Sequence, residues 1–134
     1  MKEVIDTRFL IEHFYSDEAE VRRKTSKRLD ELIRHKRGLL PTIVICEIVK
    51  VLCEKLGKDA AETCYLSLVG SGLQIQDLDR NIAKLAGLLK CQHRDVPIGD
   101  CVIASTAIVN RARILSDDPH LRHQVDKTML DLGF

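Results

Sequence analysis

Apolar positions in this chain follow two rhythms that alternate from one end to the other. Five short runs rich in aliphatic or β-branched residues have the length of strands: KEVID (2–6), LLP (39–41), LQIQDL (73–78), RILS (113–116) and KTMLDL (127–132). The segments between them carry helical spacing. A helix is expected from Thr7 through about His13. A longer one follows within 16–35, with Ser16 and Asp17 as capping candidates and Gly38 as its stop. Val21, Leu29, Leu32 and Ile33 form only a narrow apolar stripe on it, which marks a solvated surface helix. Pro41-Thr42 opens another helix through about Leu56, with Ile45, Ile48, Val49, Leu52 and Leu56 as its buried stripe and Gly57 closing it. Residues 58–72 read as a helix ended by glycine. Asp79 caps a helix through about His93, and VPIGD (96–100) leads into an apolar helix over 100–110. DPHLRHQ (118–124) is expected to be a short turn or helix.

Strands that alternate with helices along a whole chain predict an α/β fold, with a parallel sheet covered by helices on both faces. The chain has no internal repeat, low-complexity run or linker, so a single domain over 1–134 is expected.

Composition narrows the function. The 134 residues are 45% hydrophobic, too apolar for a disordered tail, and the net charge of +1 gives no global polybasic footprint. Aromatic residues make up 4% with no Trp, which argues against a base-stacking platform. Five scattered cysteines fit reduced, buried thiols rather than a disulfide frame, and zinc finds no clustered ligands. The longest apolar run, 101–109, is too short to span a bilayer, and no targeting segment is visible. A cytoplasmic protein without membrane contact is expected.

The chemistry lies in acids that interrupt apolar stretches. Asp6 ends the first strand of VIDTRFLIEHF (4–14), Glu47 stands among Ile45, Ile48 and Val49, and Asp100 begins an apolar helix. Asp117 and Asp118 follow RILS. Open parallel sheets bind ligands outside the carboxyl ends of their strands, where the strand order reverses. If the first and fourth strands are neighbours, these acids converge there. Each also has a plainer reading: Asp6 and Asp100 as helix caps, Asp118 as a turn residue before Pro119, and Glu47 on a wet helix face. Together, carboxylates brought into one place repel and resist desolvation unless a cation neutralises them. All-oxygen ligands suit a hard cation such as Mg²⁺ or Mn²⁺, which supports phosphodiester hydrolysis.

VIDTRFLIEHF, PTIVICEIVKVL (41–52), VPIGDCVIASTA (96–107) and ILSDDPHL (114–121) occur in the order and approximate spacing of the PIN-domain nucleases, which this chain resembles over essentially its whole length. The third block is the most specific of the four. The stand-alone length is similar to that of toxins of VapBC toxin–antitoxin systems, metal-dependent endoribonucleases that commonly dimerise and are held inactive by a cognate antitoxin. The resemblance implies a PIN-like three-layer sandwich of about five short strands, with the first and fourth adjacent. It implies Asp6, Glu47, Asp100 and Asp118 as catalytic, metal-binding carboxylates for one or two ions, and an RNA substrate. Thr7 and Ser116 are expected to orient a ligating acid or a water.

Two positions depart from the family pattern. Ser116-Asp117-Asp118 replaces the usual Thr-x-Asp, making Asp117 an extra or substitute ligand. Arg8 stands where the family often has a small polar residue, and it either reaches a substrate phosphate or points to solvent. Any dimer face is expected on the stripe of 42–56 and 60–69.

Three other readings use part of the same pattern. A ribosomal-RNA maturation or other RNA-processing nuclease would use the same site. A phosphotransfer or phosphatase site built on Asp6 would want an acid where Arg8 stands, or would press Asp77 and Asp79 into service and leave Glu47 and Asp100 unexplained. A non-catalytic PIN-like binding module would have lost acids, whereas all four positions are filled.

Overall fold

A computed structural model describes residues 1–115. The elements run β1 (Glu3–Ile5), α1 (Thr7–Tyr15), α2 (Ala19–Arg34), β2 (Gly38–Pro41), α3 (Thr42–Leu56), α4 (Lys58–Val69), β3 (Gln74–Gln76), α5 (Arg80–Gln92), α6 (Ile98–Asn110) and β4 (Arg113–Leu115). The strands form one parallel sheet in the order β3-β2-β1-β4, with Val4 opposite both Leu39 and Ile114, and Leu40 opposite Ile75. Four strands are present among the described residues, against about five expected. The expected strand over 127–132 and the expected turn over 118–124 lie outside them.

Both faces of the sheet are covered. Successive strand residues point to opposite faces, yet Val4 and Ile5 are both at 0% exposure, and so are Leu39 and Leu40. These residues join Phe9, Leu10, Ile48, Leu52, Ile103 and Ala107 in one core. Ile82, Ala86 and Leu89 of α5 pack with Val102 and Ile108 of α6 in a second cluster. The strand order moves one way from β1 to β3 and then jumps back past β1 to β4. The reversal between β1 and β4 is therefore the switch point, and the expected adjacency of first and fourth strands is borne out.

Gly38 does not stop a helix. α2 ends at Arg34, the chain turns through Lys36 at φ 54, and Gly38 opens β2. A Cβ on Gly38 would lie 2.5 Å from Leu73 Cδ2 and 3.3 Å from Leu32 Cβ, so a side chain there would have to displace Leu73 and crowd Leu32. The cap of α2 also differs from expectation. Its N-cap is Glu18, while the Ser16 hydroxyl accepts a hydrogen bond from the Glu18 N–H at 3.2 Å. Asp79 caps α5 as expected, accepting from the Ile82 N–H at 2.9 Å.

On α3 the buried residues are Val44, Ile48 and Leu52, with Ile45 and Val49 partly covered. Leu56, expected in that stripe, is 54% exposed in the last turn. Ala61, Cys64 and Leu68 of α4 belong to the same core, which uses up much of the stripe expected to form a dimer face. Tyr65, Leu66 and Val69 point outward. Among the described residues, no helix is long and apolar enough to cross a membrane.

Candidate functional site

Asp6 follows Ile5 directly, so the parallel strand delivers its carboxylate to the carboxyl end of the sheet beside β4. It is buried at 6% exposure. It holds the N-cap position of α1 with extended backbone (φ −88, ψ 151), yet its side chain makes no capping hydrogen bond. Capping therefore does not account for this acid.

Glu47 lies in the second turn of α3 and faces the start of α1. The Thr7 hydroxyl, in the first residue of α1, donates to Glu47 Oε1 at 2.9 Å. Burial raises the Glu47 pKa above the ordinary carboxylate value, and the nearby charges of Asp100 and Asp6 raise it further. The Thr7 hydrogen bond and Lys50 oppose the shift without cancelling it. Three acids from three separate segments thus share one electrostatic field.

Asp100 sits in the first turn of α6, where the partial positive charge of a helix N-terminus favours a carboxylate. The helix begins two residues earlier than expected, at Ile98, and Pro97 occupies the N-cap. Asp100 is thus not the cap, and the plainer reading of it as one is removed.

Gly99 was given no role on sequence grounds. A Cβ there would lie 3.0 Å from Glu47 Oε2 and 3.3 Å from Glu47 Cδ. The absence of a side chain lets the start of α6 close against the Glu47 carboxylate. The signal available was a glycine inside a helix start, which costs about 1 kcal/mol relative to alanine and so asks for a packing reason.

Arg8 is exposed on α1. Ser116, Asp117 and Asp118 lie outside the described residues. Asp77 and Asp79 follow β3, separated from β1 by β2, and Asp79 is spent as the cap of α5. That placement weighs against the phosphotransfer reading that needed them.

The donor set fits a hard divalent cation in kind. It is all oxygen, and the repulsion that raises Glu47 is what a dication relieves. Among the described residues, no three acidic, His or Cys side chains form a group that could hold a metal ion by themselves. Completing a shell therefore calls on residues beyond Asp6, Glu47 and Asp100.

Residues 4–127 match the PIN domain family. The fold is similar to that of VapBC2 from Rickettsia felis, solved bound to a promoter DNA fragment (TM-score 0.73, 17% identity, 92% of each chain covered). It is also similar to FitAcB from Neisseria gonorrhoeae (TM-score 0.68, 20% identity, 92% of each chain). Another similar structure is Mycobacterium tuberculosis VapC20, a sarcin-ricin loop cleaving toxin (TM-score 0.68, 16% identity, 99% of this chain and 96% of that one). No curated protein sequence matches significantly.

Proposed function

Because this chain belongs to the PIN domain family, we propose that it is a metal-dependent endoribonuclease that cuts RNA phosphodiester bonds and serves as the toxin of a toxin–antitoxin pair. The observation that carries the proposal is that Asp6, at the carboxyl end of β1 beside the switch point, and Asp100 both lie close enough to Glu47 to raise its pKa. Asp6, Glu47 and Asp100, with Asp118 or Asp117, would hold Mg²⁺ or Mn²⁺. A bound dication supplies activation of water and neutralisation of phosphoryl charge.

The chain's own groups prepare that chemistry. Thr7 fixes the rotamer of Glu47 and helps keep it ionised by donating to Oε1. Asp6, buried and held at the end of β1, supplies a carboxylate that does not have to be ordered when substrate arrives. Gly99 sets the spacing between α6 and Glu47. Ser116 is the second hydroxyl proposed to orient a ligand, and exposed Arg8 meets a substrate phosphate.

The toxin role and a cognate antitoxin are carried over from the solved toxin–antitoxin relatives, and a cytoplasmic setting is proposed alongside them. A homodimer is proposed through the outward face of α4, where Tyr65, Leu66 and Val69 present apolar surface within little more than one turn. The test of the activity is cleavage of a structured RNA with Mg²⁺ or Mn²⁺, run beside Asp100→Asn and an EDTA control. Cutting that disappears in both controls is the expected result. A protein that cuts nothing with either metal, and whose melting temperature ignores Mn²⁺, overturns the proposal.

A further inference from the structure

At the other end of the sheet, the first residues of β1 and β4 open onto a second feature. Glu3 and Arg113 are register partners there, and they line an open-sided cleft of about 560 Å³ together with Met1, Arg28, Glu31, Leu32, Arg34, His35 and Arg37. Four arginines face two glutamates in this lining, although the whole chain carries only +1. Both glutamates are already engaged by one arginine: Arg28 pairs with Glu3 and, at 3.3 Å, with Glu31. Among the described residues, Arg34, Arg37 and Arg113 have no ion pair. The fold thus spends one guanidinium on the local acids and leaves three pointed at the cleft without a partner.

Unpaired guanidinium groups around one concavity match the planar, bidentate chemistry of phosphate. The cleft is lined by four arginines and no Phe, Tyr or Trp, with His35 its single aromatic ring, so its ligand is recognised mainly by charge rather than by base identity. Its open side and exposed arginines suit a chain that passes through, more than a small molecule that is enclosed. We propose that this cleft is an exosite for the phosphodiester backbone of the RNA. It lies at the amino ends of β1 and β4, opposite the acidic site at their carboxyl ends, and it anchors the strand away from the point of cutting. Glu3 and Asp6 stand three residues apart along β1, so the two sites are separated by about 10 Å of strand, a span that a few nucleotides bridge. The exosite supplies the attraction that the acidic end cannot, since carboxylates repel a polyanion until a cation covers them.

The proposal rests on RNA being the substrate, so its test reads binding without catalysis. A labelled single-stranded oligoribonucleotide is titrated in EDTA by fluorescence anisotropy over a range of salt. The proteins compared are the wild type, the cleft triple Arg34→Gln/Arg37→Gln/Arg113→Gln, and an equal-charge control, Lys55→Gln/Lys58→Gln/Lys84→Gln. All six positions are exposed, and matching melting temperatures verify that the folds are intact. The cleft triple is expected to bind about tenfold more weakly, with a log–log salt slope shallower by about 2, and the control is expected to match wild type. In cleavage assays its KM rises while kcat holds. Unchanged affinity and slope in the cleft triple overturn the proposal, and so does an equal loss in the control. Calorimetry with inorganic pyrophosphate is the second arm. Tight pyrophosphate binding that the cleft triple abolishes, with oligoribonucleotide binding untouched, assigns the cleft to a small phosphorylated ligand and also overturns the exosite. Cleft-dependent binding by a protein that never cuts RNA sinks the nuclease reading alone.

Discussion

The Thr7 hydroxyl donates to Glu47 Oε1 across 2.9 Å and ties the first turn of α1 to the second turn of α3. Forty residues of chain separate the two, so the bond locates one acid of the candidate site relative to the strand that carries another.

Replacing Thr7 with valine keeps the shape and removes the donor. The hydrogen bond lowers the Glu47 pKa, so its loss sends that pKa higher still. Manganese affinity is expected to fall about 10- to 100-fold, as when a ligand loses its supporting hydrogen bond. The acidic limb of the pH–rate profile moves to higher pH. An unchanged acidic limb with unchanged manganese affinity would remove Thr7 from the site.

Gly99→Ala brings a methyl group to 3.0 Å from Glu47 Oε2. Alanine favours the helix by about 1 kcal/mol, so stability holds or rises. The carboxylate must give by a few tenths of an ångström, and because a misplacement of about 1 Å costs about 10²-fold, the rate is expected to fall by less than that. Reduced turnover with a maintained melting temperature is the expected pattern, whereas lost folding would mean that the contact is mainly one of packing.

Ser105 is fully buried in α6, and among the described residues its hydroxyl has no hydrogen-bond partner. Burying an unpaired hydroxyl costs about 1–3 kcal/mol, and alanine removes that cost while giving up few contacts. Urea denaturation of Ser105→Ala should give a midpoint equal to or above wild type. A clear drop would reveal a hydrogen bond this hydroxyl makes.

His13 Nδ1 lies 2.9 Å from Thr25 Oγ1, and the ring packs edge-on to Phe14. Burial pushes its pKa below 6.5, with Asp30 pulling the other way. A histidine lowered in the fold takes up its proton more readily when unfolded, so stability is fully present above 6.5 and is lost as pH falls through the folded pKa. His13→Gln should flatten that acid-side decline in thermal melts between pH 7 and about 5. A slope identical to wild type would assign the decline to other groups.

Leu66 is 65% exposed between Tyr65 and Val69. Leu66→Glu puts a charge into the proposed contact between two copies and should yield a monomer in sedimentation or light scattering. A wild-type protein that is already monomeric at high concentration rejects that face.

Asp6, Glu47 and Asp100 were legible in the sequence because each breaks an apolar rhythm, and periodicity also gave all four described strands and their helices. What periodicity cannot carry is contact between distant segments. Gly38 looked like a helix stop because its true constraint is Leu73, thirty-five residues on. Gly99 looked idle because its neighbour is a carboxylate on another helix. Leu56 fits the helical spacing of α3, but it lies in the last turn, where less of the core remains to cover it.

The pairing of β1 with β4 sets a timetable as well as a shape. At about 5–20 residues per second, β4 follows β1 out of the ribosome by roughly 5–20 s. Asp100 precedes it only slightly, so the acidic cluster cannot assemble on a half-made chain. For the proposed nuclease, this layout delays assembly of the site until synthesis is nearly finished.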